Sequence, residues 1–260
     1  MKIRSYTLIL LSILGLQAFS MTDTTDSTKN SVILEPYHWN VIKFNPTPML
    51  LFGELRNITF SYERLITKNQ SVAVQVGYLT CPDIFKDTIA NIINFTGGSK
   101  QQGVNLAFDY RYYPSLRNRR PAPDGLYIGG YVSYYGFHFD NTADILGTGI
   151  DQYIKMTENL NIVSLGFDLG YQFVFWKKLT LDLLMFGPSL RYSYRKGEIS
   201  GDVDLNHDQI GAIDDEMAQK LKDRFPLLTQ IFSDENLSFS GSRAIFTTGF
   251  RYSIQIGFHF

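Results

Sequence analysis

The sequence predicts an all-β protein, a closed up-and-down barrel of eight antiparallel strands, and three observations carry that reading. Segment after segment alternates apolar and polar residues with a period of two. Long and short connections take turns between those segments. The chain also ends on an aromatic inside such a segment, "RYSIQIGFHF" (251–260), which would be a free edge unless the sheet closes on itself.

Before the first strand, Lys2 and Arg4, the apolar run "LILLSILGL" (8–16) and the small residues Ala18 and Ser20 predict an export signal over 1–20. A short segment, 21–38, then leads into a barrel over 39–260. The apolar run is shorter than the roughly 20 residues a membrane-spanning helix needs, and no second run of that length follows. The single cysteine, Cys81, leaves no internal disulfide to staple the fold. With 24 basic and 25 acidic residues the formal net charge is −1, so nothing global attracts nucleic acid.

The strands are expected as follows. "NVIKFNPTPMLLF" (40–52) opens the set, with a bulge or kink where Pro46 and Pro48 cannot donate to a ladder. In "RNITFSYERLI" (56–66), Ile58, Phe60 and Tyr62 oppose Asn57, Thr59, Ser61 and Glu63; in "SVAVQVGYL" (71–79), Val72, Val74, Val76 and Tyr78 oppose Ser71, Ala73, Gln75 and Gly77. "GVNLAFDYRYY" (103–113) sets Val104, Leu106, Phe108 and Tyr110 against Asn105, Ala107, Asp109 and Arg111. "GLYIGGYVSYYGFHF" (125–139) is strand-like with Tyr and Gly on both faces, and "IVSLGFDLGYQFVF" (162–175) opposes Val163, Leu165, Phe167 and Leu169 to Ser164, Gly166, Asp168 and Gly170. "LTLDLLMFGPSLRYSY" (179–194) changes parity, which a bulge at Gly187–Pro188 would restore. The terminal segment is the eighth. Connections 67–70 and 177–178 are tight and 114–124 is moderate, whereas 80–102, 140–158 and 195–242 are long; only the first, around 53–55, breaks the alternation.

Alternation alone does not say which face points inward, but charge and glycine do. The polar parity carries Lys43, Glu63, Asp109, Arg111, Asp168, Asp182 and Arg251, joined by Arg191 after the bulge. The same parity carries Gly77, Gly166, Gly170, Gly249 and Gly257, which suit a narrow interior where long side chains need small neighbours. Tyr112, Tyr113, Phe173, Phe175, Trp176, Phe258 and Phe260 gather near the short-turn end, as an interfacial girdle would. The barrel is therefore expected to be transmembrane, with the charged parity inside. Its four cations and four anions are expected to pair into a network that plugs the lumen.

On these residues the chain resembles the small eight-stranded outer-membrane barrels of the OmpA and OmpX type, over nearly all of its mature length. Its ending, with Tyr252, Ile254, Ile256, Phe258 and Phe260 on one parity, resembles their C-terminal assembly signal. The resemblance implies a bacterial outer-membrane location, contact with outer-membrane lipid, recognition by the barrel-assembly machinery and a monomer. Unlike OmpA, no periplasmic domain is expected after the barrel.

Candidate chemistry is sparse. Asp202, Asp204, Asn206 and Asp208 alternate as calcium ligands do, but His207 stands where a glycine belongs and Ile213 where a bidentate Glu belongs, so a solvated acidic loop is the favoured reading. Helices are expected over 213–225, striped by Ile213, Met217, Leu221 and Phe225, and over 83–95. A lipid A-modifying enzyme would need a nucleophile, a His and an acid together; His138 and Ser133 on one strand are the nearest approach, and no triad is evident. No cofactor, metal or enzymatic activity is expected. The function expected is a plugged outer-membrane barrel that works through its long loops, with a lipid A-modifying enzyme and a narrow solute channel as alternatives.

Overall fold

Period-two segments form strands wherever a neighbour can take their backbone groups. The computed structural model describes residues 38–81, 88–89, 93–94, 100–118, 120–145, 153–201, 216, 219, 223 and 241–260. Its strands are β1 (Asn40–Phe44), β2 (Ile58–Thr67), β3 (Gln70–Thr80), β4 (Thr88–Ile89), β5 (Ile93–Asn94), β6 (Lys100–Tyr112), β7 (Gly125–Ile145), β8 (Tyr153–Phe175), β9 (Leu179–Gly201) and β10 (Gly241–His259), with helix α1 (Thr47–Phe52) after β1. Eight of them close in the cyclic order β1-β2-β3-β6-β7-β8-β9-β10, each antiparallel to its neighbours. The short β4–β5 pair adds to the far end of β7.

Closure answers the problem of the terminal strand. Val41 to Phe44 pair with His259 to Ile256, Asn40 N–H donates to the Phe260 carbonyl at 3.0 Å, and Phe260 N–H donates back at 2.8 Å. No end of the ring is left as an edge at that level.

Side-chain polarity is inverted relative to a water-soluble barrel. Ile42, Phe60, Val76, Phe108, Val132, Leu165, Leu190 and Ile256 point outward and are exposed, Phe167 to 75%. Lys43, Glu63, Asp109, Arg111, Asp168 and Asp182 point inward and are buried to 1% exposure or less. A continuous apolar exterior of this extent calls for an apolar medium. Among the described residues no helix is long and apolar enough to cross a membrane.

Several expectations need correction. β1 stops at Phe44, and Pro46 and Pro48 begin a helix, where a missing N–H costs nothing; Asn45 Oδ1 accepts from Thr47 N–H at 3.0 Å, and Gly53, at φ 65°, ends the helix in the left-handed region. The first connection is thus 45–57, a long one at the long-loop end, so the exception expected around 53–55 disappears; the extension of β7 and β8 in turn shortens the fifth connection to 146–152, less than the 113–124 turn at the other end. The bulge of β9 falls at Met185–Phe186, ahead of Gly187–Pro188: Leu169 pairs with Phe186 while Gly170 pairs with Leu184. Tyr113 is not in the aromatic girdle but inside, 1% exposed. β7, β8 and β9 run for 21, 23 and 23 residues, so residues 140–145, 153–158 and 195–201, expected in loops, continue the sheet. Within 83–95, where the sequence predicts a helix, 88–89 and 93–94 are extended. Glu216, Gln219 and Asp223 are helical, with Gln219 Nε2 donating to Asp223 at 2.9 Å; the apolar stripe of that helix, the segments 1–20 and 21–37, and Asp202, Asp204, Asn206 and Asp208 lie outside the described residues.

The turn between β8 and β9 makes one expectation measurable. Trp176 (φ 49°) and Lys177 (φ 65°) both occupy the left-handed region, and Lys178 N–H donates to the Phe175 carbonyl at 3.1 Å, the geometry of a type I′ hairpin. A non-glycine residue pays about 1–2 kcal/mol there, against about 0.5–1 kcal/mol of extra chain entropy for glycine. Lys177→Gly is therefore expected to raise stability by about 0.5–1 kcal/mol, read as a higher urea midpoint for unfolding from lipid vesicles; a lowered midpoint contradicts the turn assignment.

Candidate functional site

Seven of the eight ring strands send side chains into one layer near the short-turn end. Lys43 Nζ of β1 donates to Glu63 of β2 at 2.5 Å, to Asp182 of β9 at 2.6 Å and to Gln172 Oε1 of β8 at 2.8 Å. Arg111 of β6 reaches the same Asp182 carboxylate at 2.5 Å and stands 3.8 Å from Glu63, while its guanidinium lies 4.4 Å above the Tyr127 ring of β7. Tyr127 OH donates to the other Asp182 oxygen at 2.8 Å, and Tyr113 OH and Ser71 Oγ of β3 donate to Glu63 at 2.9 and 2.5 Å. Two cations and two anions neutralise one another, the Tyr127, Tyr113 and Ser71 hydroxyls donate to the carboxylates, and the Gln172 amide oxygen accepts from Lys43, the condition under which buried charge is tolerable.

Small residues make room for this layer. A Cβ on Gly170 would collide with the Tyr127 ring, and one on Gly257 would stand 2.8 Å from the Lys43 side chain. Gly170, Gly249 and Gly257 thus leave room for Tyr127, Arg191 and Lys43 to cross a narrow lumen, whereas a Cβ on Gly77 would meet Thr59.

A second layer lies toward the loops. Arg251 of β10 donates to Asp109 of β6, stands 3.4 Å from Asp168 of β8, and covers the Tyr131 ring at 4.6 Å. Tyr131 OH donates to the Gly187 carbonyl at 3.2 Å. The eight charges expected in a single network thus divide: Lys43, Glu63, Arg111 and Asp182 form one set, and Asp109, Asp168 and Arg251 another. Arg191 stands farther along, beside Gly249, lining a small cavity.

Above these layers the interior turns apolar, which period-two reasoning about the membrane span did not anticipate. Phe52 of α1 packs with Leu79, Cys81, Phe137, Phe139, Leu160 and Ile162, all buried. Closer to the loops Arg195 Nε donates to Glu158 at 2.5 Å, a buried pair also missed because both residues were assigned to loops. Continuing the inward parities 158-160-162-164 and 191-193-195 would have found it.

His138 points outward, with Nδ1 2.8 Å from Asn159 Oδ1 and Nε2 3.2 Å from Asp140 Oδ2. Ser133 is buried on the opposite face of the same strand, so the two are not brought together. Among the described residues no group of three or more His, Cys, Asp or Glu is placed to hold a metal ion.

Ring closure, inward charge and outward hydrocarbon together define the class: a membrane-spanning antiparallel β-barrel with a filled interior. No family model and no curated protein matches the chain. Among solved structures it is similar to a major outer membrane protein from Thermus thermophilus, with 11% identity over 86% of this chain and 98% of that one, at a TM-score of 0.33, a likeness too loose to bear on function.

Removing Arg251 leaves two carboxylates, Asp109 and Asp168, facing each other without their shared cation. Arg251→Ala is expected to cost about 3–5 kcal/mol, and Arg251→Lys less. An unfolding midpoint unchanged from wild type for Arg251→Ala would contradict the second layer.

Proposed function

We propose that the chain is a non-enzymatic barrel of the bacterial outer membrane, closed to solutes along its axis, which presents its strand extensions and loops to a partner at the cell surface. The layer of Lys43, Glu63, Arg111 and Asp182 carries this reading: the four side chains are 0–1% exposed and bond across the lumen from β1, β2, β6 and β9. An interior of eight strands is just wide enough for side chains to fill, and a neutral, mutually bonded set has no reason to part for an ion.

The length of the strands supports the surface role. A tilted strand crosses the hydrocarbon in about 9–11 residues, yet β8 and β9 have 23 each. On the outer face the side chains turn polar at the Tyr134–Asn161 hydrogen bond (2.7 Å), beyond which Asp140 accepts from Thr157 at 2.9 Å and Lys196 pairs with Glu198 at 2.5 Å. These extensions would stand in water above the membrane. The terminal strand, with Ile254, Ile256, Phe258 and Phe260 exposed on its outer face, supports recognition by barrel-assembly machinery.

Purified protein in a planar bilayer is expected to show no steady unit conductance. Reproducible single-channel steps from the wild-type protein would overturn the closed lumen and favour a solute channel.

A further inference from the structure

The formal net charge of −1 conceals two unlike ends. The three connections at the short-turn end, 68–69, 113–124 and 176–178, carry Lys68, Arg117, Arg119, Arg120, Lys177 and Lys178 against one acidic side chain, Asp124. In the longest connection, 202–240, acidic residues outnumber basic ones. Apolar side chains also stand out at the basic end: Leu116 is 100% exposed and Trp176 83%. A bare leucine and tryptophan among lysines and arginines suit neither water nor hydrocarbon alone but the zone of lipid headgroups between them.

The longest of the three connections is fastened down. Tyr113 N–H donates to the Asn69 carbonyl and Ala122 N–H to the Lys68 carbonyl, both at 2.8 Å. Asn118 Nδ2 donates to the Leu126 carbonyl at 2.8 Å, and its Oδ1 accepts from Leu126 N–H at 2.9 Å. Between this turn and β8 lies a cleft of about 410 Å³, with Arg117, Arg120 and Asp124 on one side and Tyr171, Phe173 and Phe175 on the other. The three aromatics continue the lipid-facing parity of Val163, Leu165 and Phe167. Their ring centroids follow one another at 4.4 and 6.1 Å, and Trp176 extends the row by a further 6.1 Å. Arg120 Nη1 pairs with Asp124 at 2.9 Å, so those two charges offset each other. Arg117 is exposed and has no ion-pair partner among the described residues, which leaves the cleft one uncompensated positive charge.

We infer that this cleft binds an anionic phospholipid from the leaflet at the short-turn end, its phosphate held by Arg117 and the upper part of its chains against Tyr171, Phe173 and Phe175. A guanidinium suits the phosphate because its planar fork donates to two oxygens at once. The aromatic row selects a phosphate that carries hydrocarbon, since a free phosphate gains nothing from apolar rings. A zwitterionic headgroup brings its own cation among Arg117, Arg120 and the nearby lysines, and that repulsion disfavours it. The bonds from Tyr113, Asn118 and Ala122 set the turn before the lipid arrives, which lowers the ordering cost of binding. The inference rests on the membrane placement proposed above and adds to it a lipid class and a site.

The test uses the full protein in phosphatidylcholine vesicles, with insertion checked first by heat-dependent migration in detergent gels. Trp39→Phe leaves Trp176 as the one tryptophan, and phospholipids brominated near the top of their chains quench it on contact. Brominated phosphatidylglycerol is expected to reach half-maximal quenching at a mole fraction about fivefold lower than brominated phosphatidylcholine, the worth of one basic side chain at an anionic lipid surface. Arg117→Gln is expected to lose most of that preference, and Arg117→Lys, which keeps the charge but not the fork, to retain more of it. Lys68→Gln, which removes the same charge outside the cleft, is expected to keep the preference whole, and millimolar inorganic phosphate to leave the quenching unchanged. Equal quenching by the two lipids in inserted protein, an equal loss in Lys68→Gln and Arg117→Gln, or displacement by inorganic phosphate overturns the site and leaves the barrel reading intact. A Trp176 that neither lipid quenches overturns the membrane placement of this end and the site with it.

Discussion

Asp182 is the point on which the interior turns. Its two oxygens accept from Lys43 of β1, Arg111 of β6 and Tyr127 of β7, three strands that are not neighbours of β9 in the ring. A carboxylate buried this deeply would be prohibitively costly alone, so these donors must be present for the barrel to close around it. β1 is only five residues long and ties β10 to β2, a short ladder for the place where the two ends of the sheet meet. Lys43, at its centre, adds side-chain bonds to β2, β8 and β9 that the backbone ladder alone does not supply.

Placing charge inside has a consequence for everything outside it. With the polar parity committed to the lumen, the other parity carries the valines, leucines and phenylalanines outward, and only a hydrocarbon medium makes that arrangement favourable. The interior is graded along its axis, from paired ions at the short-turn end to the Phe52 cluster and then to the Glu158–Arg195 pair. α1 belongs to this gradient: it gives up strand pairing with β10 in order to bring Phe52 into the apolar part of the lumen.

Much of this was legible in the sequence because a membrane strand must alternate, and residues such as Glu63, Asp109 and Asp168 keep small and polar company on one parity while the other parity stays apolar. What escaped had a physical reason each time. The prolines at 46 and 48 forbid a ladder equally in a kinked strand and at a helix start, and only the neighbouring strands decide between them. Tyr113 looked like a girdle residue because Tyr suits both an interface and a buried hydroxyl; the Glu63 acceptor decides it. The Glu158–Arg195 pair and the long extensions of β7 to β9 escaped because there the outer face turns polar while the inner face mixes Ala143, Met156 and Leu160 with Glu158 and Arg195, and the period-two contrast fades. The division of the charges into two sets was not legible either, since parity gives the face of a side chain but not its height.

The central claim is that the apolar parity faces lipid, and nitroxide accessibility measures it directly. Single cysteines introduced on a Cys81→Ser background as Val76→Cys, Leu165→Cys and Ile256→Cys, spin-labelled and reconstituted in vesicles, should be relaxed strongly by oxygen, which partitions into hydrocarbon, and weakly by a water-soluble nickel chelate. Strong relaxation by the chelate at these three positions in folded protein would mean that the apolar face meets water, and it would contradict the account.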